Sequence, residues 1–209
     1  MDIPAIKKSS GTQFSMPDDR LYLATRAWII WLQGLFSTRA PGYHRWSSNA
    51  EESELVITNA LPSATEHGNN RPIIAVSRGS AQFAGTSRDS TIKRNYSGDK
   101  QTLSDTIATS IIFSCIAKEG VEAQELAYTI FRMVPVFKSS IMKLGRIHAI
   151  GHNLAVSPET KHGQLVSGSS SPEWRMVNVS APFYIQDVIS LEKDFHNIMQ
   201  AVNLHMGLA

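Results

Sequence analysis

Leu103, Asp105, Ile107, Thr109, Ile111, Phe113 and Cys115 share one parity. The opposite parity is small or polar at Ser104, Thr106, Ala108, Ser110 and Ser114, interrupted by Ile112. A period of two held over this length describes one long strand with a single buried face. Such a chain must build a sheet and must also supply an apolar cover for one side of it. Gly120 ends the alternation, and the period changes at once. Ala123, Leu126, Ala127, Ile130, Phe131 and Val134 step by three and one, the spacing of an amphipathic helix over 121–134. Glu122 and Glu125 stand in its first turn, where the helix dipole favours carboxylates. Pro135 is expected to end or kink it.

A second cover lies near the start. Leu21, Ala24, Trp28, Trp31, Leu32 and Leu35 fall on one face of a helix spanning 19–36, with Asp18 or Asp19 as its N-cap and Pro41-Gly42 as the turn beyond it. Each aromatic side chain buries roughly 150–250 Å², so a helix carrying two tryptophans must dock on something. Further strands are expected near 55–58, 73–78, 147–156 and 175–186. Strands placed before and after helices without regular alternation indicate an α+β fold. The expected architecture is a mainly antiparallel sheet with an N-terminal and a central helix packed on one face, a long inter-strand loop over 79–101, and extended termini. Trp28, Leu32, Leu126, Ile130 and Phe131 are the expected core of that packing. Residues 1–17 are polar and aperiodic and read as a flexible arm. Residues 18–190 form the domain, and 191–209 a C-terminal extension whose Leu191, Phe195, Ile198, Met199, Val202 and Met206 fit a helix face.

Charge and cysteine usage narrow the function classes. Lys and Arg number 20 against 18 Asp and Glu, too even a balance for a dedicated nucleic-acid binder. Only 18 % of residues are charged, and a neutral polar surface of this kind suits repeated protein–protein packing. Cys115 is the single cysteine, so an intrachain disulfide and a Cys-x-x-Cys redox pair are excluded. Lys7 and Lys8 are not followed by an apolar h-region, and the longest apolar stretch, 27–36, is broken by Gln33 and Gly34. The expectation is a protein made in the cytoplasm, with no membrane partner.

The chain has neither a G-x-x-x-x-G-K-[ST] phosphate loop nor a G-x-S-x-G elbow. His148 and His152 have metal-ligand spacing, but Gly151 lies between them, the segment reads as extended, and no central Glu or third ligand accompanies them. Glu51, Glu52 and Glu54 sit in a polar linker, whereas acid–base work needs a buried carboxylate. The expected reading is a non-enzyme with no catalytic residue, bound metal or cofactor.

Charge blocks are more informative. Residues 71–101 hold six cations, Arg71, Arg78, Arg88, Lys93, Arg94 and Lys100, against Asp89 and Asp99. Residues 50–70 hold Glu51, Glu52, Glu54 and Glu66 and no Lys or Arg. Complementary blocks on one chain favour contact between copies. Arg78, Arg88, Lys93, Arg94 and Lys100 are therefore candidate assembly or lumen residues, and the four glutamates candidate intersubunit residues. Base readout is not favoured, because Phe83 and Tyr96 are sparse aromatics and no reader motif is present.

Three segments together carry a resemblance. The strand Arg71-Pro-Ile-Ile-Ala-Val-Ser-Arg-Gly79 is entered by Arg-Pro and left by Arg-Gly. Ile107–Cys115 leads into Ala117-Lys-Glu-Gly-Val-Glu-Ala-Gln-Glu-Leu-Ala127, a strand closed by Gly with an acidic amphipathic helix behind it. A Trp-led strand, Trp174-Arg-Met-Val-Asn-Val-Ser-Ala-Pro-Phe-Tyr184, follows later. Over roughly residues 20–190 this order resembles the tail-completion and tail-terminator proteins at the head–tail joint of long-tailed bacteriophages. The resemblance implies a virion protein of the neck or tail, assembled in the host cytoplasm. It implies a homo-oligomeric ring, commonly a hexamer, that caps the tail tube and meets the connector or adaptor, while genomic DNA passes through the lumen unread. A sequence-independent DNA-binding module and a host-directed interaction module are the competing readings.

Overall fold

The computed structural model describes residues 20–39, 44–59, 71–84, 95–97, 100–161 and 174–191, with backbone alone at 95–97, 100–105 and 187–191. In chain order the elements are α1 (Arg20–Ser37), β1 (Val56–Thr58), β2 (Ile73–Arg78), β3 (Gln82–Phe83), β4 (Asn95–Ser97), β5 (Lys100–Ala117), α2 (Gly120–Gly145), β6 (Ala149–Ile150), β7 (Ala155–Val156), β8 (Thr160–Lys161) and β9 (Arg175–Leu191). The arm at 1–17, the N-cap aspartates and the residues after Leu191 lie outside the described residues. The fold is α+β: one sheet ordered β1-β2-β5-β9-β6, with β3 and β4 added along β5 and β7 and β8 along β9. Among the described strands only β1 and β2 run parallel.

The alternation over 103–115 is the spine of this sheet. Seventeen register pairs join β5 to β9, from Gln101 opposite Leu191 to Ala117 opposite Arg175. At about 3.3 Å per residue the ribbon is roughly 55 Å long. Ile111, Phe113, Cys115 and Ala117 face the core together with Ile74 and Val76 of β2 and Val177, Val179, Ala181 and Phe183 of β9. The other face is mostly small and polar through Ser77, Ser110, Ser114, Asn178 and Ser180, interrupted by Ile112 and by an apolar cluster of Ile73, Ile116 and Trp174.

Both helices cover the apolar face, for the reason their spacing implied. Trp28, Leu32, Leu126 and Ile130 are fully buried, whereas Phe131, expected among them, is only partly buried and packs at the edge of the core. Trp28 meets Trp31 and Phe113 edge to face, at ring-centroid distances of 5.8 and 5.6 Å. The helices run antiparallel: Arg39 after α1 donates to Thr129 Oγ1 early in α2, and Ala27 lies against Gly145 at its end.

Pro135 does not end α2, which continues for ten residues to Gly145. The proline lies on the exposed side, so the carbonyl it cannot bond is near water, and burial of Ile141 and Gly145 holds the later turns in place. The segment 147–156, expected as one strand, forms two short pairings with β9 instead, separated by Gly151, where a side chain would strike Pro182. The 79–101 segment is likewise not wholly loop, since β3 and β4 pair with β5.

Cys115 is fully buried, and desolvation pushes its thiol pKa far up. Alkylation at pH 8 is therefore expected to proceed only through opening of the β5–β9 core, at a rate that denaturant raises steeply. Labelling of the native protein as fast as of the unfolded chain would show that this face is not the core.

Candidate functional site

The acidic candidates occupy a turn that the chain builds tightly. Ser47 Oγ accepts from the Asn49 amide at 3.2 Å, Asn49 Oδ1 accepts from the Glu51 amide at 3.1 Å, and the Ser53 amide donates to the Asn49 carbonyl at 3.1 Å. Ser53 is buried; its Oγ donates to the Leu55 carbonyl at 2.6 Å and accepts from the Ser47 amide at 3.1 Å. Arg71 closes the turn from outside, its Nη1 donating to the carbonyls of Ala50 and Ser53. Glu54 is tied into the same structure, its carboxylate accepting from the Arg45 amide at 3.0 Å. Glu51 and Glu52 are held at the tip with both side chains exposed. Glu66 lies outside the described residues.

This turn sits where α1 ends and α2 begins. The Trp46 amide donates to the Phe36 carbonyl at 3.2 Å, and the His44 ring lies 3.7 Å from Glu122 and 3.8 Å from Glu125. This end of the helix layer thus holds Glu122 and Glu125 beside His44, and the turn bonded to it carries Glu51 and Glu52 together with the cations Arg45 and Arg71, while Val121 and Tyr128 of α2 are exposed.

Of the basic candidates, Arg78 and Lys100 are among the described residues, and they stand far apart. Arg78 is exposed at the end of β2, opposite Ile111, while Lys100 begins β5 opposite Ser97. Eleven residues of strand separate Ile111 from Lys100, about 35 Å at the usual rise. Arg88, Lys93 and Arg94 lie outside the described residues. Register also sets Asp105 opposite Asp187, a placement the alternation alone did not reveal. Among the described residues no group of three or more His, Cys, Asp or Glu could hold a metal ion, and no helix is long and apolar enough to cross a membrane.

Arg78 instead keeps company that sequence reading missed. It lines an open cleft of about 480 Å³ with Tyr22, Arg26 and Ile29 of α1. A second cleft, about 420 Å³, lies on the other side of Arg26, between Leu23 and Ile30 of α1 and Leu144 and Arg146 of α2. Between the clefts, Tyr22, Arg26 and Ile30 form an exposed stripe at four-residue spacing. That spacing was legible, but it was masked by the stronger tryptophan face of the same helix. Compared with known proteins, the chain matches no family model and no curated protein.

Proposed function

We propose that this chain is the structural subunit of a homo-oligomeric ring, a hexamer, at the head–tail joint of a long-tailed bacteriophage. In that role it terminates the tail tube and joins it to the connector or adaptor, and the genomic DNA crosses its lumen without being read. The observation that carries this reading is the β5–β9 ribbon. Arg20, the first residue of α1, anchors to the Gln186 carbonyl, and five further register pairs, Asp105–Asp187 to Gln101–Leu191, run on past that anchor. A two-strand extension of this kind, bordered by β4, can lie across a neighbouring subunit. Fold resemblance alone does not specify function, so the test is genetic. Loss of the chain during phage growth is expected to leave filled heads and tails unjoined, and resupply of the full chain should restore joining. Normal yields of joined virions without it would reject the proposal.

A further inference from the structure

The side chains of three arginines, Arg26 of α1, Arg78 at the end of β2 and Arg146 at the end of α2, have no hydrogen-bond or ion-pair partner among the described residues. Arg26 stands between two open clefts, Arg78 lines one and Arg146 the other. The second cleft is bordered by exposed aliphatic side chains, with Ile30 43 % and Leu144 51 % exposed, while the first mixes Ile29 and Val76 with Thr25, Asn59 and Ser77. Arg146 is also held at φ 49°, ψ 36° as the C-cap of α2. A side chain at a left-handed C-cap carries backbone strain that glycine avoids, and here it places a cation at the rim of the cleft. Exposed Tyr, Arg and aliphatic side chains together have the composition of a protein-binding surface.

The acidic turn supplies the complementary surface, and it cannot reach these arginines within one molecule. It is bonded to Phe36, ten residues and about 15 Å along α1 from Arg26. His44, at its start, lies against Glu122, whereas Arg146 is 24 residues further along α2, about 36 Å away. At one end Glu51, Glu52, Glu54, Glu122 and Glu125 outnumber Arg39, Arg45 and Arg71, whereas Arg26, Arg78 and Arg146 lie at the other, each set beside exposed apolar side chains. Two different patches that match each other specify a head-to-tail contact, which closes into a ring when its rotation permits.

We propose that copies of this chain associate head to tail, with the Glu51–Glu52 turn of one copy seated against Arg26 and Arg146 of the next. The inference rests on the ring reading above and names its interface. Two variants test it in the full chain: Arg26→Glu with Arg146→Glu, and Glu51→Arg with Glu52→Arg. All four side chains are exposed, so folding is expected to survive. Sedimentation velocity across a concentration series should show that each variant alone needs at least about tenfold more protein than the wild type to assemble. Mixed in equal amounts, the two variants should alternate and recover assembly, which also shows that both are folded. Wild-type assembly matched by either variant alone, or a mixture that stays dissociated, would overturn the interface while leaving the ring standing. A wild-type chain that remains monomeric throughout would remove the ring and this interface together.

Discussion

Replacing Trp28 with alanine is expected to lower stability by about 3–5 kcal/mol, the range for truncating a fully buried large aromatic. Trp28 is 0 % exposed and its ring joins α1 to the sheet through Phe113 and Phe183, at centroid distances of 5.6 and 6.3 Å. Alanine removes those contacts and leaves a cavity that neighbouring rings on two elements cannot both move to fill. Since a domain is stable by only about 5–15 kcal/mol, much of the population would lose its helix layer on modest heating. Trp28→Phe should cost far less. The buried indole N–H of Trp28 has no hydrogen-bond partner among the described residues, a condition that costs about 1–3 kcal/mol, and phenylalanine removes that donor while keeping an aromatic ring. Chemical denaturation of the two variants checks both statements. A loss below about 1 kcal/mol for the alanine variant would contradict the docking of α1 described above.

The second large effect is at Gly145. A Cβ there would lie 3.1 Å from the Ala27 Cβ and 3.0 Å from the Ile147 Cδ1, tighter than ordinary contact. This glycine permits the close approach of α2 to α1. Gly145→Ala should be nearly neutral, because a shift of a few tenths of an ångström offsets the roughly 0.5–1 kcal/mol that alanine gains over glycine in a helix. Gly145→Val adds two methyl groups to the same space and should cost about 1–3 kcal/mol through overpacking. Because this crossing also sets the distance between Arg26 and Arg146, the valine variant should assemble poorly even where it remains folded. Equal stability of the valine and alanine variants in thermal melts would contradict the close packing.

Much of this architecture was legible because its signals are local. Parity over 103–115 identified β5 and its buried face, and the apolar spacing of α1 and of the first half of α2 identified both covers. The continuation of α2 past Pro135 was not legible, since a proline's effect on a helix depends on whether its side faces water and on what the following turns bury. Ile141 and Gly145 supply that burial, and only the fold brings α1 to Gly145. The short pairings at 149–161 were illegible for a similar reason: two-residue strands have no period and exist because β9 offers them an edge. The acidic turn could be read because its glutamates are neighbours in sequence. The arginine surface could not, because Arg26, Arg78 and Arg146 come from three elements and share a surface only through tertiary packing. The basic block read from 71–101 shows the converse, since Arg78 and Lys100 are close in sequence and far apart along the sheet.

Whether this chain is a ring subunit is decided by the mass and shape of the purified 209-residue chain. Sedimentation equilibrium combined with negative-stain imaging, with and without isolated tail tubes, is expected to show closed rings built from several 23.1 kDa subunits, with a central opening, seated at tube ends. A single species of 23.1 kDa at every concentration, tubes present or absent, would contradict the ring.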